Sequence, residues 1–183
     1  MGADYMEWKA LNELIESLIK EKKGKIAACV AAQSYMGLRM GDAIRLKWHQ
    51  LMEGTVCVVE EQKTGKVRHI QIHKDLKSII QRCYQLEKPT VSTIGVNRKG
   101  RVFSPQYYIT ELKRIKEKHN IQIENFSSHT FRKAFGRRIY ETNGANEHAL
   151  VLLMDIFNHS SLALTRRYLG LRQEEFSLAY NNM

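Results

Sequence analysis

Cysteine is scarce in this chain: Cys29, Cys57 and Cys83 are the three among 183 residues. They are odd in number, widely spaced and without a C-x-x-C pair, so neither a disulfide framework nor a zinc site is indicated. They read as buried thiols of a protein kept in a reducing cytoplasm. Equally missing is any apolar run of membrane-spanning length. The opening MGADYMEWKA carries acidic residues where a secretion signal would need a basic and then an apolar stretch, so a soluble, unexported chain is expected. No internal repeat, low-complexity tract or linker-like stretch divides it, and one domain with a real core is the working expectation. Acidic residues are the minority, 19 against 29 Lys plus Arg, for a net charge of +10 and a pI near 9.6. That excess is more than a solvated surface requires and points to a polyanionic partner. A membrane surface fits less well, because no Lys/Arg-rich amphipathic helix stands apart from the core pattern. Nor is there a cluster of carboxylates of the kind that two-metal hydrolysis needs.

What is present is mostly helical periodicity. Leu11, Leu14, Ile15 and Leu18 recur at helical spacing within a helix expected over about 5–20, and a second is expected over about 26–36. In GLRMGDAIRLKWHQL, Gly37 and Gly41 read as tight turns around Arg39, and Asp42 reads as a helix-start residue. TVCVVEEQKTGKVRHIQI gives two Val/Ile-rich strands, about 55–61 and 66–72, joined through the turn residues KTG. HKDLKSIIQRCYQL returns to helical period, a short third strand is expected at 101–103, and Pro105 opens another helix. From Ser127 on, helical pieces are expected over about 128–142, 146–157, 161–168 and 173–181, broken by Asn143-Gly144 and Asn158. The class expected is α+β, mainly α, with a small antiparallel sheet.

HTFRKAF sets His129 three residues before Arg132, and positions i and i+3 share a helical face. An imidazole and a guanidinium placed so address one object, and an anion between them would relieve their repulsion. FNHSS then places His159 in a turn, and TRRYLGL places Tyr168 beside Arg166 and Arg167. Each residue alone has a plainer reading: a structural tyrosine, a core or capping histidine, a solvated arginine. Their order and spacing carry the information.

GLRMGDAIRLKW, the KTGKVRHIQI hairpin, SSHTFRKAF, FNHSS and TRRYLGL together resemble the tyrosine recombinase (phage-type integrase) family, in that family's own motif order and over about residues 24–175. The resemblance implies a helical catalytic domain with a three-stranded antiparallel sheet over 24–183. Residues 1–23 would then be a linker and first helix, and the family's N-terminal DNA-clamping domain would be absent. It implies breakage and rejoining of DNA strands through a 3′-phosphotyrosyl intermediate, with no metal or other cofactor. Carried over residue by residue, it makes Arg39 and Arg132 the transition-state arginines, Lys63 the hairpin lysine with Lys66 as its rival, His129 and His159 the paired histidines, and Tyr168 the nucleophile. FNH departs from the family's usual LGH, but asparagine also accepts a positive backbone angle, so the turn is expected to survive. The implied partner is double-stranded DNA, bound as a tetramer on two sites by a protein that is monomeric alone, in the bacterial cytoplasm. Two relatives of this chemistry stand as alternatives: a DNA-binding module that no longer cuts, and a type IB topoisomerase that relaxes supercoils.

Overall fold

The computed structural model describes residues 4–171 together with 180 and 181. Along the chain run α1 (Trp8–Lys20), α2 (Gly24–Met36), α3 (Met40–Ala43), α4 (Trp48–Met52), β1 (Val56–Glu60), β2 (Val67–Gln71), α5 (Lys74–Glu87), α6 (Pro105–Lys118), α7 (Ser128–Thr142), α8 (Glu147–Phe157) and α9 (Leu162–Leu169). The helix expected over 173–181 lies almost wholly outside the described residues.

α2 is the axis of the fold. Its IAACVAAQS stretch is buried on every side, so small alanines let α1, α5 and α7 approach it together. α1 contributes the stripe Leu11, Leu14, Ile15 and Leu18, and α5 contributes Leu76, Ile79, Ile80 and Cys83. These join Tyr108, Leu112 and Ile115 of α6 and Phe131 and Ala134 of α7 in one large core. A smaller cluster, Leu150, Leu153, Phe157, Leu169 and Leu171, holds α8 and α9 against Phe135 and Ile139 of α7. All three cysteines are buried thiols, as their spacing suggested.

The end of α2 is shaped by Gly37, which has φ 62°. A Cβ there would stand 2.5 Å from the Phe135 ring, so glycine meets both the left-handed backbone and the close approach of α7. Gly136 does similar work between α7 and the small cluster, since a Cβ would come within 2.6 Å of Leu169.

Three local expectations need correcting. Gly41 and Asp42 lie inside the short α3, whose N-cap position is Arg39, and Asp42 does not start a helix. Its buried carboxylate instead accepts the Gln62 backbone N–H at 3.0 Å, a tertiary role that no local pattern announces. Among the described residues the sheet has two strands, not three: β1 and β2 pair antiparallel with Val58 opposite His69. Residues 101–103 hydrogen-bond to their own loop, through a Val96–Val102 bridge and Phe103 N–H to the Gly95 carbonyl at 2.8 Å, and so add nothing to the hairpin.

Candidate active site

Arg132 is the most enclosed of the expected site residues, at 4% exposure. Its position follows from α7, whose N-terminus is capped by the Ser127 hydroxyl accepting the His129 N–H at 3.2 Å. One guanidinium nitrogen donates to the Gly37 carbonyl at 2.6 Å and another to the Phe157 carbonyl at 3.3 Å. Both carbonyls terminate helices, α2 and α8, where the backbone carries partial negative charge. The guanidinium also lies over the Phe157 ring, 4.5 Å from its centroid. Burial pushes the Arg132 pKa down to about 10, helped by the positive charges of Arg39 and Arg68, so it remains a cation at neutral pH. Five N–H donors in a fixed fork leave some for a ligand after these bonds are made.

Arg39 follows the Gly37 turn and reaches the Glu61 carboxylate at 2.7 Å. Glu61 closes the hairpin, with Gln62 to Gly65 as the loop: its N–H donates to the Lys66 carbonyl at 2.9 Å, and Gly65, at φ 65°, donates back to its carbonyl at 2.8 Å. Lys63 sits at the exposed tip. The two hairpin lysines separate here: Lys63 lines a cleft with Arg39, His129 and Arg132, whereas the Lys66 ammonium donates to the Asn158 side-chain oxygen. The cleft holds about 230 Å³ and is completed by Gln33, Leu38, Met40, Gly41 and Ser128.

His129 is exposed on the first turn of α7 and faces this cleft. Partial desolvation, and then the cations Arg132, Arg39, Lys133 and Lys63, lower its pKa below the usual 6.5, favouring a neutral imidazole near pH 7. His159 follows Asn158, which adopts φ 54° and ψ 52°, so the turn does survive the exchange of glycine for asparagine. Its Nδ1 is 3.0 Å from the Thr165 hydroxyl, and burial followed by the two arginines lowers its pKa as well.

Tyr168 lies behind Arg132. Its ring meets Phe157 and His159 edge-on, each with centroids 5.3 Å apart, and the Lys133 ammonium is 5.7 Å from its face. The hydroxyl is closed off from solvent, with no hydrogen-bond partner of good geometry among the described residues. Burial raises its pKa, and Arg132 and Arg39 pull the other way without cancelling the rise.

The structure therefore gathers Arg39, Lys63, His129 and Arg132 around one cleft and sets His159 and Tyr168 behind it, with Phe157 between. It does not bring the Tyr168 hydroxyl to the cleft. Three side chains at this site were not anticipated: Glu61, Arg68 and Lys133. For Glu61 a signal existed. Cys57 and Val59 are the buried positions of β1, and the same alternation carries on to Glu61, placing a carboxylate on the inward face.

The family model described as the phage integrase family matches residues 4–175. A probable integrase/recombinase of Bacillus subtilis (strain 168), YoeC, is 28% identical over 144 residues, covering 78% of this chain and 76% of the relative. Among solved structures, XerA recombinase superposes with a TM-score of 0.75 at 19% identity, covering all of this chain and 65% of that one. XerH site-specific recombinase, in a post-cleavage complex with palindromic difH substrate, gives 0.71 at 18% identity over 97% of this chain and 52% of that one. The Tn1549 transposon integrase, in complex with a circular-intermediate DNA, gives 0.69 at 19% identity over 92% and 62%. The chain thus spans about half to two thirds of the length of these solved relatives, with whose fold its own agrees. By the match of nearly its whole length to the family model, the chain belongs to the phage integrase family.

Proposed function

We propose that this chain is the catalytic part of a site-specific DNA recombinase that cuts and rejoins strands through Tyr168. One observation carries the reading: Arg39, Lys63, His129 and Arg132 converge on a single cleft, with the solvent-shielded hydroxyl of a half-buried tyrosine nearby, in a chain of this family.

In this reading the Tyr168 oxygen attacks the scissile phosphorus. The new phosphotyrosyl bond forms as the bond from phosphorus to the 5′ oxygen breaks. The phenol proton passes to His129, which is neutral for the purpose, and the departing 5′ oxygen takes a proton from Lys63. Arg39 and Arg132 meet the two non-bridging oxygens, where charge builds, with planar donors in fixed geometry. His159 gives the phosphate a further hydrogen bond. Religation runs the same steps backwards, and because one phosphodiester replaces another, no external energy is required. A hydroxyl closed off from solvent cannot reach an external phosphodiester, so α9 has to shift when DNA binds.

The partner is double-stranded DNA, engaged by four copies on two sites, and the protein is a monomer when alone; its place is the bacterial cytoplasm. In the described residues no helix is long and apolar enough to cross a membrane. Residues 24–183 form the catalytic domain on this reading, with α1 packed into its core.

The test is a nicked substrate whose cleavage releases a short 5′ fragment and so traps the covalent adduct. Wild-type protein is expected to accumulate a DNA-linked species, while Tyr168→Phe binds the same DNA and forms none. An adduct that persists in Tyr168→Phe would move the nucleophile elsewhere, Tyr140 and Tyr180 being the next to examine.

A further inference from the structure

Glu61 stands out among the groups that the mechanism leaves unused. It is a carboxylate at 1% exposure, in a site otherwise crowded with positive charge, and it is fully engaged. One oxygen accepts from Arg39 at 2.7 Å and from the Thr64 hydroxyl at 2.9 Å, while the other accepts from Arg68 at 3.2 Å. A buried carboxylate is tolerated only when paired and hydrogen-bonded in this way. Burial alone would raise its pKa, but Thr64, Arg39 and Arg68 outweigh burial and hold it below the usual carboxylate range, so it is a carboxylate near neutral pH.

Among the described residues Arg39 gains no comparable anchor elsewhere: its side chain is 26% exposed, on a residue that follows a glycine turn and precedes a single-turn helix. Arg132, by contrast, is held by two backbone carbonyls. We propose that Glu61 is the positioning residue for Arg39: its carboxylate fixes one edge of the guanidinium so that the remaining N–H groups point into the cleft at the scissile phosphate. Because Glu61 belongs to the hairpin that carries Lys63 at its tip, the same contact couples the hairpin to the arginine. A phosphate that draws Lys63 inward then finds Arg39 already in register. Arg68 and Thr64 hold the carboxylate from its other sides.

Chemistry makes this testable with an isosteric change. In Glu61→Gln the negative charge that pairs with Arg39 is removed and one of the two acceptor oxygens becomes a donor, so Arg39 loses its ion pair whichever way the amide turns. The proposal rests on the recombinase reading, and wild-type cleavage of the nicked substrate is therefore measured first; its absence overturns both. Given cleavage, Glu61→Gln is expected to slow single-turnover adduct formation about 10- to 100-fold, as for a misplaced catalytic group. DNA affinity should be unchanged or tighter, since a negative charge has been removed. A substrate with a methylphosphonate at the scissile position lacks one charged non-bridging oxygen and so asks less of Arg39. On it the gap between wild type and Glu61→Gln should close nearly to parity, a rescue that a folding defect would not show. Combining Glu61→Gln with Arg39→Ala should add nothing to the loss from Arg39→Ala alone. Cleavage by Glu61→Gln at the wild-type rate, a loss not relieved by the methylphosphonate, or additive losses in the double variant would each overturn the proposal. Should Glu61→Gln prove unfolded, Thr64→Val removes one hydrogen bond to the carboxylate from the hairpin loop. It is expected to give the same pattern at a few-fold, and wild-type behaviour from it would count against the role.

Discussion

Arg132 and Lys63 reach the same cleft from opposite kinds of support. Arg132 rises from α7, buried, fixed by the ends of α2 and α8 and resting on Phe157. Lys63 hangs from a solvated loop with its long side chain exposed. The difference matches what each task would demand. A group that stabilises charge on a phosphate works best when it has nothing left to reorganise, whereas one that delivers a proton to a departing oxygen must follow that oxygen. The hairpin is not free, however: Glu61 ties its base to Arg39, and Lys66 ties its second strand to Asn158 beside His159.

The largest effect expected from breaking this contrast is on the mobile side. Lys63→Ala should slow cleavage by roughly 10² to 10⁴, as for loss of a general acid, and should recover on DNA with sulfur at the bridging 5′ position, because a thiolate leaves without a proton. Arg39→Ala should not recover there. Recovery by Lys66→Ala instead would give the proton-donor role to Lys66. On the rigid side the signature is stability. Phe157 is fully buried and carries Arg132, His159 and Tyr168 around it, so Phe157→Ala should lower the unfolding free energy in urea by about 3–5 kcal/mol. Lys63→Ala, an exposed change, should alter it by less than about 0.5 kcal/mol.

Acid sharpens the comparison more gently. His129 and His159 both titrate below 6.5 in the fold. Between that ordinary value and their folded ones, the unfolded chain binds more protons than the native one. Stability should therefore decline as pH falls through that window and be indifferent to these groups above it. Melting temperatures from pH 8 down to pH 5 would show the decline, and His159→Gln should make it shallower. The smallest expected effect is that of Lys66→Met. Both ends of the Lys66–Asn158 contact are exposed, so unfolding should shift by no more than about 0.5 kcal/mol. Any slowing of cleavage by this variant should not respond to bridging sulfur.

Much of this arrangement was legible in the sequence, because helical and strand periods and turn chemistry are local. The hairpin, the α7 segment with His129 and Arg132 one turn apart, and the left-handed Asn158 could all be read from neighbours in the chain. Asp42 was misread because its side chain serves the Gln62 backbone on the hairpin, a contact across the fold. The third strand was misread because β propensity at 101–103 says nothing of which backbone it will pair with. The grip of Gly37 and Phe157 carbonyls on Arg132 could not be read at all, since it joins positions 95 and 25 residues apart. Glu61 was legible too: a charge on the buried phase of a strand asks for partners, and the partners are the arginines.

The two hydrophobic clusters differ greatly in size among the described residues, and Tyr168 packs against the smaller one. Opening α9 alone leaves Phe157, Arg132 and the larger cluster in place, so its amide protons should exchange with solvent well before those of α2 or α5. The same fluctuation uncovers the phenol. In the resting protein Tyr168 should therefore resist a water-borne nitrating reagent that labels Tyr180 readily, and its labelling rate should report how often the molecule visits the open form.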